Sequence, residues 1–144
     1  EAREGTFGER QTVYGGRQSM PLAYDNTQTP YRSQADRSWT KAQDWTVNGV
    51  NTLVLHVKGK TDNGADPLYV VLEDSAGHVG TVTHPDARIA ISTTWNEWAI
   101  PLSSFTGVNP ATIKKMSIGL GTSGATAPGG QGMLFVDDLW VTKK

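Results

Sequence analysis

A rhythm of two runs along most of the chain. At residues 52–58 (TLVLHVK) Leu53, Leu55 and Val57 alternate with Thr52, Val54, His56 and Lys58. At residues 68–74 (LYVVLED) Leu68, Val70 and Leu72 alternate with Tyr69, Val71 and Glu73. This period sends successive side chains to opposite faces of a strand. Residues 115–121 (KMSIGLG) repeat it, with Met116, Ile118 and Leu120 on the inner side. Weaker versions cover residues 9–14, 17–25, 31–40, 78–84 and 94–102. Pro21 removes a ladder donor from the second of these, which places that strand at an edge or a bulge. Turn chemistry separates the runs: Gly15-Gly16, Asp25-Asn26, the Asp, Asn and Gly loop at 60–67, and Ser75-Ala76-Gly77, which makes a hairpin. Asn109-Pro110 predicts a short helix to about Lys114, since Asn caps well and Pro suits the first helical position. Pro85 allows a helical turn through residue 90.

The last stretch, residues 131–142 (QGMLFVDDLWVT), is apolar on both sides of an acidic pair, Asp137 and Asp138. Its composition is that of a strand buried in a β-core. A carboxylate beside a hydrophobic layer needs a partner: an Arg or Lys, backbone N–H groups, or a hard cation. Eight or nine short strands, turns between them and one short helix predict an all-β chain. The expected architecture is an antiparallel β-sandwich of the jelly-roll kind, occupying residues 1–144 as a single domain.

Composition narrows the function classes. Thirteen Lys and Arg stand against 14 Asp and Glu, so no basic field exists to gather nucleic acid. No apolar run reaches the length that spans a bilayer. With no cysteine, disulfide frameworks, thiolate metal sites and thiol catalysis are excluded. The N-terminal EAREGTFGER is not a signal peptide.

Catalytic motifs are missing. His56, His78 and His84 form no HExxH, and there is no serine elbow. Glu73, Asp74, Glu97 and Asp138 supply carboxylates for glycoside cleavage, but any chain of this size has such candidates, and solvated strand-end charges are the plainer reading. The expectation is no enzyme. A binding surface is better supported, because aromatic faces beside polar side chains suit sugar rings. The outward residues His56 and Lys58, Tyr69 and Glu73, and Trp95 and Glu97 form such a mix, extended by Tyr31, Arg32, Gln34 and Asp36. If their strands share one sheet, they make one concave surface. Trp95 could equally pack under a loop. Trp98 shares parity with Ile100 and reads as core, and Trp39 and Trp45 read as core or loop anchors. A metal site could join Asp137 and Asp138 to Glu9, with the Arg17 carbonyl as a further ligand or the Arg17 side chain as a counter-ion instead.

The blocks TVYGGRQSMPLAYDN, QDWTVNGVNTLVLHVKG, DPLYVVLEDSAG, TWNEWAIPLSSFTGVN, IKKMSIGLG and PGGQGMLFVDDLWV together resemble a jelly-roll, carbohydrate-binding-module-like domain of secreted bacterial polysaccharide-active or surface proteins. The likeness runs from about Glu9 to Lys144. It implies two antiparallel sheets, a non-catalytic role in binding a polysaccharide or oligosaccharide, and a structural calcium held by Glu9, the Arg17 carbonyl and Asp138. The implied setting is an extracellular, monomeric module beside catalytic or surface modules of one parent chain. The alternative is a spacer that packs against a catalytic neighbour and binds no sugar.

Overall fold

In the computed structural model, residues 10–12, 20–27, 32–46, 49–64, 66–121 and 129–142 are described, with backbone alone at 10–12, 20, 21, 32 and 137–140. Among the described residues there are nine strands: β1 (Arg10–Thr12), β2 (Met20–Asp25), β3 (Arg32–Gln43), β4 (Thr52–Lys58), β5 (Leu68–Asp74), β6 (Val79–Thr83), β7 (Asn96–Pro101), β8 (Ile113–Gly121) and β9 (Gln131–Thr142). They form two antiparallel sheets. One is five-stranded, in the order β1-β9-β4-β7, with β2 also on β9; the other is four-stranded, in the order β3-β8-β5-β6. The all-β sandwich expected from the alternation is present.

The sheets face each other through the side chains that the alternation marks as inner. Leu53, Leu55 and Val57 from one sheet meet Leu68, Val70, Leu72, Met116, Ile118 and Leu120 from the other, all within one buried cluster. Apolar area removed from water at roughly 25 cal/mol per Å² makes this the main stabilising layer. Trp45 is fully buried in it, and Trp39 packs on Trp45 edge to face at 6.0 Å. Trp98 is buried too, and the His84 ring lies 4.7 Å from it; burial holds the His84 pKa below its ordinary value.

Strand β9 is the seam of its sheet, pairing with β1, β2 and β4. Its alternation breaks once. Val54 faces Trp140 and His56 faces Asp137, so Leu55 spans the place of both Asp138 and Leu139. This bulge lets Leu134 and Val136, and then Val141, all reach the core although their numbers differ in parity.

The helix expected to run to Lys114 is a single 3-10 turn, Pro110–Thr112. Asn109 does cap it, accepting from the Ala111 N–H at 3.0 Å. The β-branched, fully buried Ile113 then begins β8 and takes Lys114 with it. A turn also falls at Ile89–Ile91, late in the segment that Pro85 opens, and another at Leu102–Ser104. Among the described residues no helix is long and apolar enough to cross a membrane.

Candidate functional site

The outer face of the four-stranded sheet is a grid, three residues deep and four strands wide. The registers set Gln34, Gly119, Tyr69 and Thr83 in one row. Asp36, Ser117, Val71 and Thr81 form the next, and Ser38, Lys115, Glu73 and Val79 the third. A groove of about 560 Å³ lies over this grid, bounded at one end by Pro67 and Gly121.

Gly119 shapes the groove floor. The Tyr69 side chain crosses it, and its hydroxyl donates to Gln34 Oε1 at 2.7 Å. A Cβ at residue 119 would stand 2.5 Å from that hydroxyl and 2.6 Å from the Ser33 carbonyl oxygen. The ring is therefore laid into the sheet, and Tyr69 is buried. Beside it, Asp36 Oδ1 accepts from Ser117 Oγ at 2.5 Å and from Gln34 Nε2 at 2.9 Å, and Lys115 Nζ stands 3.9 Å from Asp36 Oδ2. Glu73 is half-buried in the same groove, and Val79 is 55% exposed at its rim. The surface thus offers hydroxyl, amide and carboxylate groups for hydrogen bonds, interleaved with the apolar Val71 and Val79.

Two buried polar clusters brace the ends of the sandwich. At one end, Asn26 Nδ2 donates to Asp66 Oδ2 and, at 3.0 Å, to the Leu120 carbonyl, while Asn26 Oδ1 accepts from Ser33 Oγ at 2.7 Å. The Gly130 N–H donates to both Asp66 oxygens, at 2.9 and 3.0 Å. Tyr24 donates to the Gly64 carbonyl at 2.6 Å, and burial, then Asp66 and Asp62, push its pKa up to about 12. At the other end, Asp74 accepts from the N–H groups of Asn109, His78 and Ala76. The Asn109 N–H contributes most to holding the Asp74 carboxyl down at about 2; the His78 and Ala76 bonds add to it, against an opposing push from burial. That carboxylate is committed to closing the β5–β6 hairpin.

The nominated sugar-binding residues do not share one surface. Tyr69, Glu73 and Gln34 lie on the outer grid with Asp36. His56 and Lys58 on β4, Glu97 on β7, and Trp95 just before β7 belong to the five-stranded sheet, on the far side of the molecule. There the His56 Nε2 stands 3.6 Å from Glu97 Oε1, and Lys58 Nζ lies 5.9 Å from the Trp95 ring centre. The single concave surface drawn from the alternation is corrected to two faces. Alternation reveals which residues point outward, while strand partnership depends on contacts distant in sequence. Tyr31 lies outside the described residues; Arg32 is described in backbone only, paired with Gly121. The grid also contains Lys115, Ser117, Val79 and Thr81, which the sequence reading did not nominate. Outward parity marked them; the missing signal was an aromatic ring.

Glu9 and Arg17 lie outside the described residues, and Asp137 and Asp138 are described in backbone only. Among the described residues no cluster of three or more His, Asp and Glu is placed to hold a metal. On β9, Asp137 and Asp138 lie between Val136, which pairs with Met20, and Trp140, which pairs with Thr12. Of the carboxylates nominated for glycoside cleavage, Glu73 faces the groove, Asp74 is buried in its own hairpin, and Glu97 is on the other sheet.

Residues 4–143 match the family described as Carbohydrate binding domain 30, and the chain belongs to that family. It is a carbohydrate-binding module with a β-sandwich fold. The fold is similar to that of the family 30 carbohydrate-binding module of a cellulosomal cellulase of Clostridium thermocellum (TM-score 0.62, 16% identity, 92% of this chain and 79% of that one). It is also similar to part of an exo-beta-agarase (TM-score 0.66, 12% identity, 88% of this chain), of which it covers 20%. A third likeness is to a family 11 module from Clostridium thermocellum in complex with a beta-1,3-1,4-mixed-linked tetrasaccharide (TM-score 0.54, 11% identity, 98% and 92%). No curated protein matches the sequence.

Proposed function

We propose that this module holds a single chain of an uncharged polysaccharide in the groove over β3, β8, β5 and β6, without cleaving it. The observation that carries the reading is the three-row grid. Its middle pairs hydrogen-bonding groups with apolar patches along a trough that crosses all four strands, which suits several successive sugar rings. Glu73 and Lys115 both line the groove, and Lys115 has Asp36 beside it at 3.9 Å, so no excess of positive charge faces a ligand, which disfavours uronate or sulfate groups. The similar modules act beside a cellulase and bind a mixed-linked glucan fragment, so mixed-linked β-glucan is the first ligand to test and agarose the second. Family membership favours this binding role over a spacer. The absence of turnover is supported by the scattering of the nominated carboxylates.

The proposed setting is a monomeric module of a larger exported protein, extracellular or at the cell surface, beside catalytic or surface modules. The support is that the similar structures are part of an exo-beta-agarase and a module of a cellulosomal cellulase. A structural calcium at Asp138 and Asp137 with the Arg17 carbonyl, and Glu9 as the remaining nominee, is proposed on the resemblance of the sequence blocks. If the ion binds, chelation lowers the melting temperature and Asp138→Ala removes the effect; elemental analysis without calcium and an unmoved melting curve would dismiss it.

The test of the groove is affinity electrophoresis through gels containing mixed-linked β-glucan, soluble cellulose derivative or agarose. Retardation by at least one, lost in Tyr69→Ala, is the expected result. Unhindered migration in all three would reject the reading.

A further inference from the structure

We propose that the outer face of the five-stranded sheet is a second glycan-contact surface, built on Trp95, Lys58 and Phe135. The inference rests on the binding reading only in taking a sugar as the ligand. Three observations carry it. Trp95 is 44% exposed, one of two large apolar side chains standing out from the surface among the described residues. A tryptophan in water loses hydrophobic stabilisation unless something covers its face, and pyranose rings present a flat C–H face suited to that. Lys58 Nζ lies over the Trp95 ring, 5.9 Å from its centre, so a cationic hydrogen-bond donor is held on one side of the indole.

The third observation is alignment. Lys58 pairs with Phe135 on β9, and Val57 with Asn96, which brings Trp95 level with Lys58 on the other side. Leu134 and Val136 point into the core, and Phe135 between them is half-buried on the outer face. Phe135, Lys58 and Trp95 therefore form one row across β9, β4 and β7. The two rings are two interstrand spacings apart, about 10 Å. The next row continues with the His56–Glu97 pair, 3.6 Å apart, on the same face. Two aromatic faces with a cationic donor between them and a polar pair alongside can take an oligosaccharide lying across the strands.

This surface and the groove are on opposite sides of the sandwich. A module with both would hold one chain in the groove and touch a second on the opposite face, bridging the two.

The experiment follows amide and indole signals of the full chain during titration with a mixed-linked β-glucan tetrasaccharide and, separately, an agarose-derived tetrasaccharide. The expected result is two sets of shifts. One includes Tyr69, Val71 and Thr81; the other includes Lys58, Glu97 and the Trp95 indole N–H. Trp95→Ala should erase the second set, leave the first intact and stop the chain from cross-linking soluble β-glucan into aggregates. Groove shifts with an unmoved Trp95 indole would overturn this proposal and leave the groove standing. Shifts confined to the Trp95 face would sustain it and overturn the groove. No shift on either face with either sugar would overturn both. Phe135→Leu, which keeps most of the apolar volume, is the second variant; normal folding with weakened shifts at Trp95 is the expected outcome, and unchanged shifts would remove Phe135 from the surface.

Discussion

Tyr69 and Gln34 stand on strands that do not touch, and their side chains meet above Gly119, with the hydroxyl 2.7 Å from the amide oxygen. The link exists because residue 119 has no side chain. Gly119→Ala would push a methyl into the tyrosine and against the Ser33 carbonyl. We expect a loss of roughly 1–3 kcal/mol in chemical denaturation, as for overpacked sites, together with loss of glycan retention. Tyr69→Phe keeps the ring and removes one hydrogen bond, about 1 kcal/mol. Equal stability losses for the two variants would contradict this account of the groove floor.

Val79 separates binding from folding. It is 55% exposed, so it contributes little to the core. Val79→Ser should shift stability by no more than about 0.5 kcal/mol, the usual range for surface changes. Retardation in a β-glucan gel should nevertheless fall. A melting temperature and a retardation that both stay at the wild-type values would take the valine out of the proposed contact.

Asn26 is a structural brace. Its amide donates to Asp66 and to the Leu120 carbonyl, and accepts from Ser33. Asn26→Ala leaves these buried groups short of partners, at a cost of roughly 3 kcal/mol. Urea denaturation measures it directly; a loss below about 1 kcal/mol would mean that water replaces the amide.

Asp74 makes stability depend on acid. Its folded-state pKa, about 2, lies below the ordinary value of 3.8. The unfolded chain therefore takes up the proton first as pH falls. The stabilisation is complete above pH 4, declines as pH falls between about 4 and about 2, and is gone below that. Asp74→Asn should have a flatter melting temperature across that window than the wild type. Parallel curves would assign the acid response to other carboxylates.

Much of the scaffold was legible in the alternation. The runs at Thr52–Lys58, Leu68–Asp74 and Gln131–Thr142 are strands with those same ends. In the first two the inner residues are buried as the period requires, because a strand's two faces are a local property. Which strand lies beside which is not local. Tyr69 and Trp95 look alike on paper, yet β5 pairs with β8 and β6 while β4 pairs with β7 and β9. Strand β3 outruns its weak pattern to reach Gln43, because its irregular stretch between Ser38 and Gln43 is carried by pairing with β8. The groove was half legible: its polar residues were visible, and its floor at Gly119 was not, since a glycine gives no sign of what lies across it.

The extra residue in β9 leaves a mechanical signature. Between the core pairs Leu53–Val141 and Val57–Val136, β4 advances four residues while β9 advances five. Removing residue 138 or 139 would leave four residues on each strand between those pairs, so both halves would keep their oily side inward and only the bend would be lost. Removing a residue from the regular stretch before the bulge would instead turn one end of the strand inside out, so β9, which stitches β1, β2 and β4 into one sheet, should tolerate shortening at the bulge far better than elsewhere.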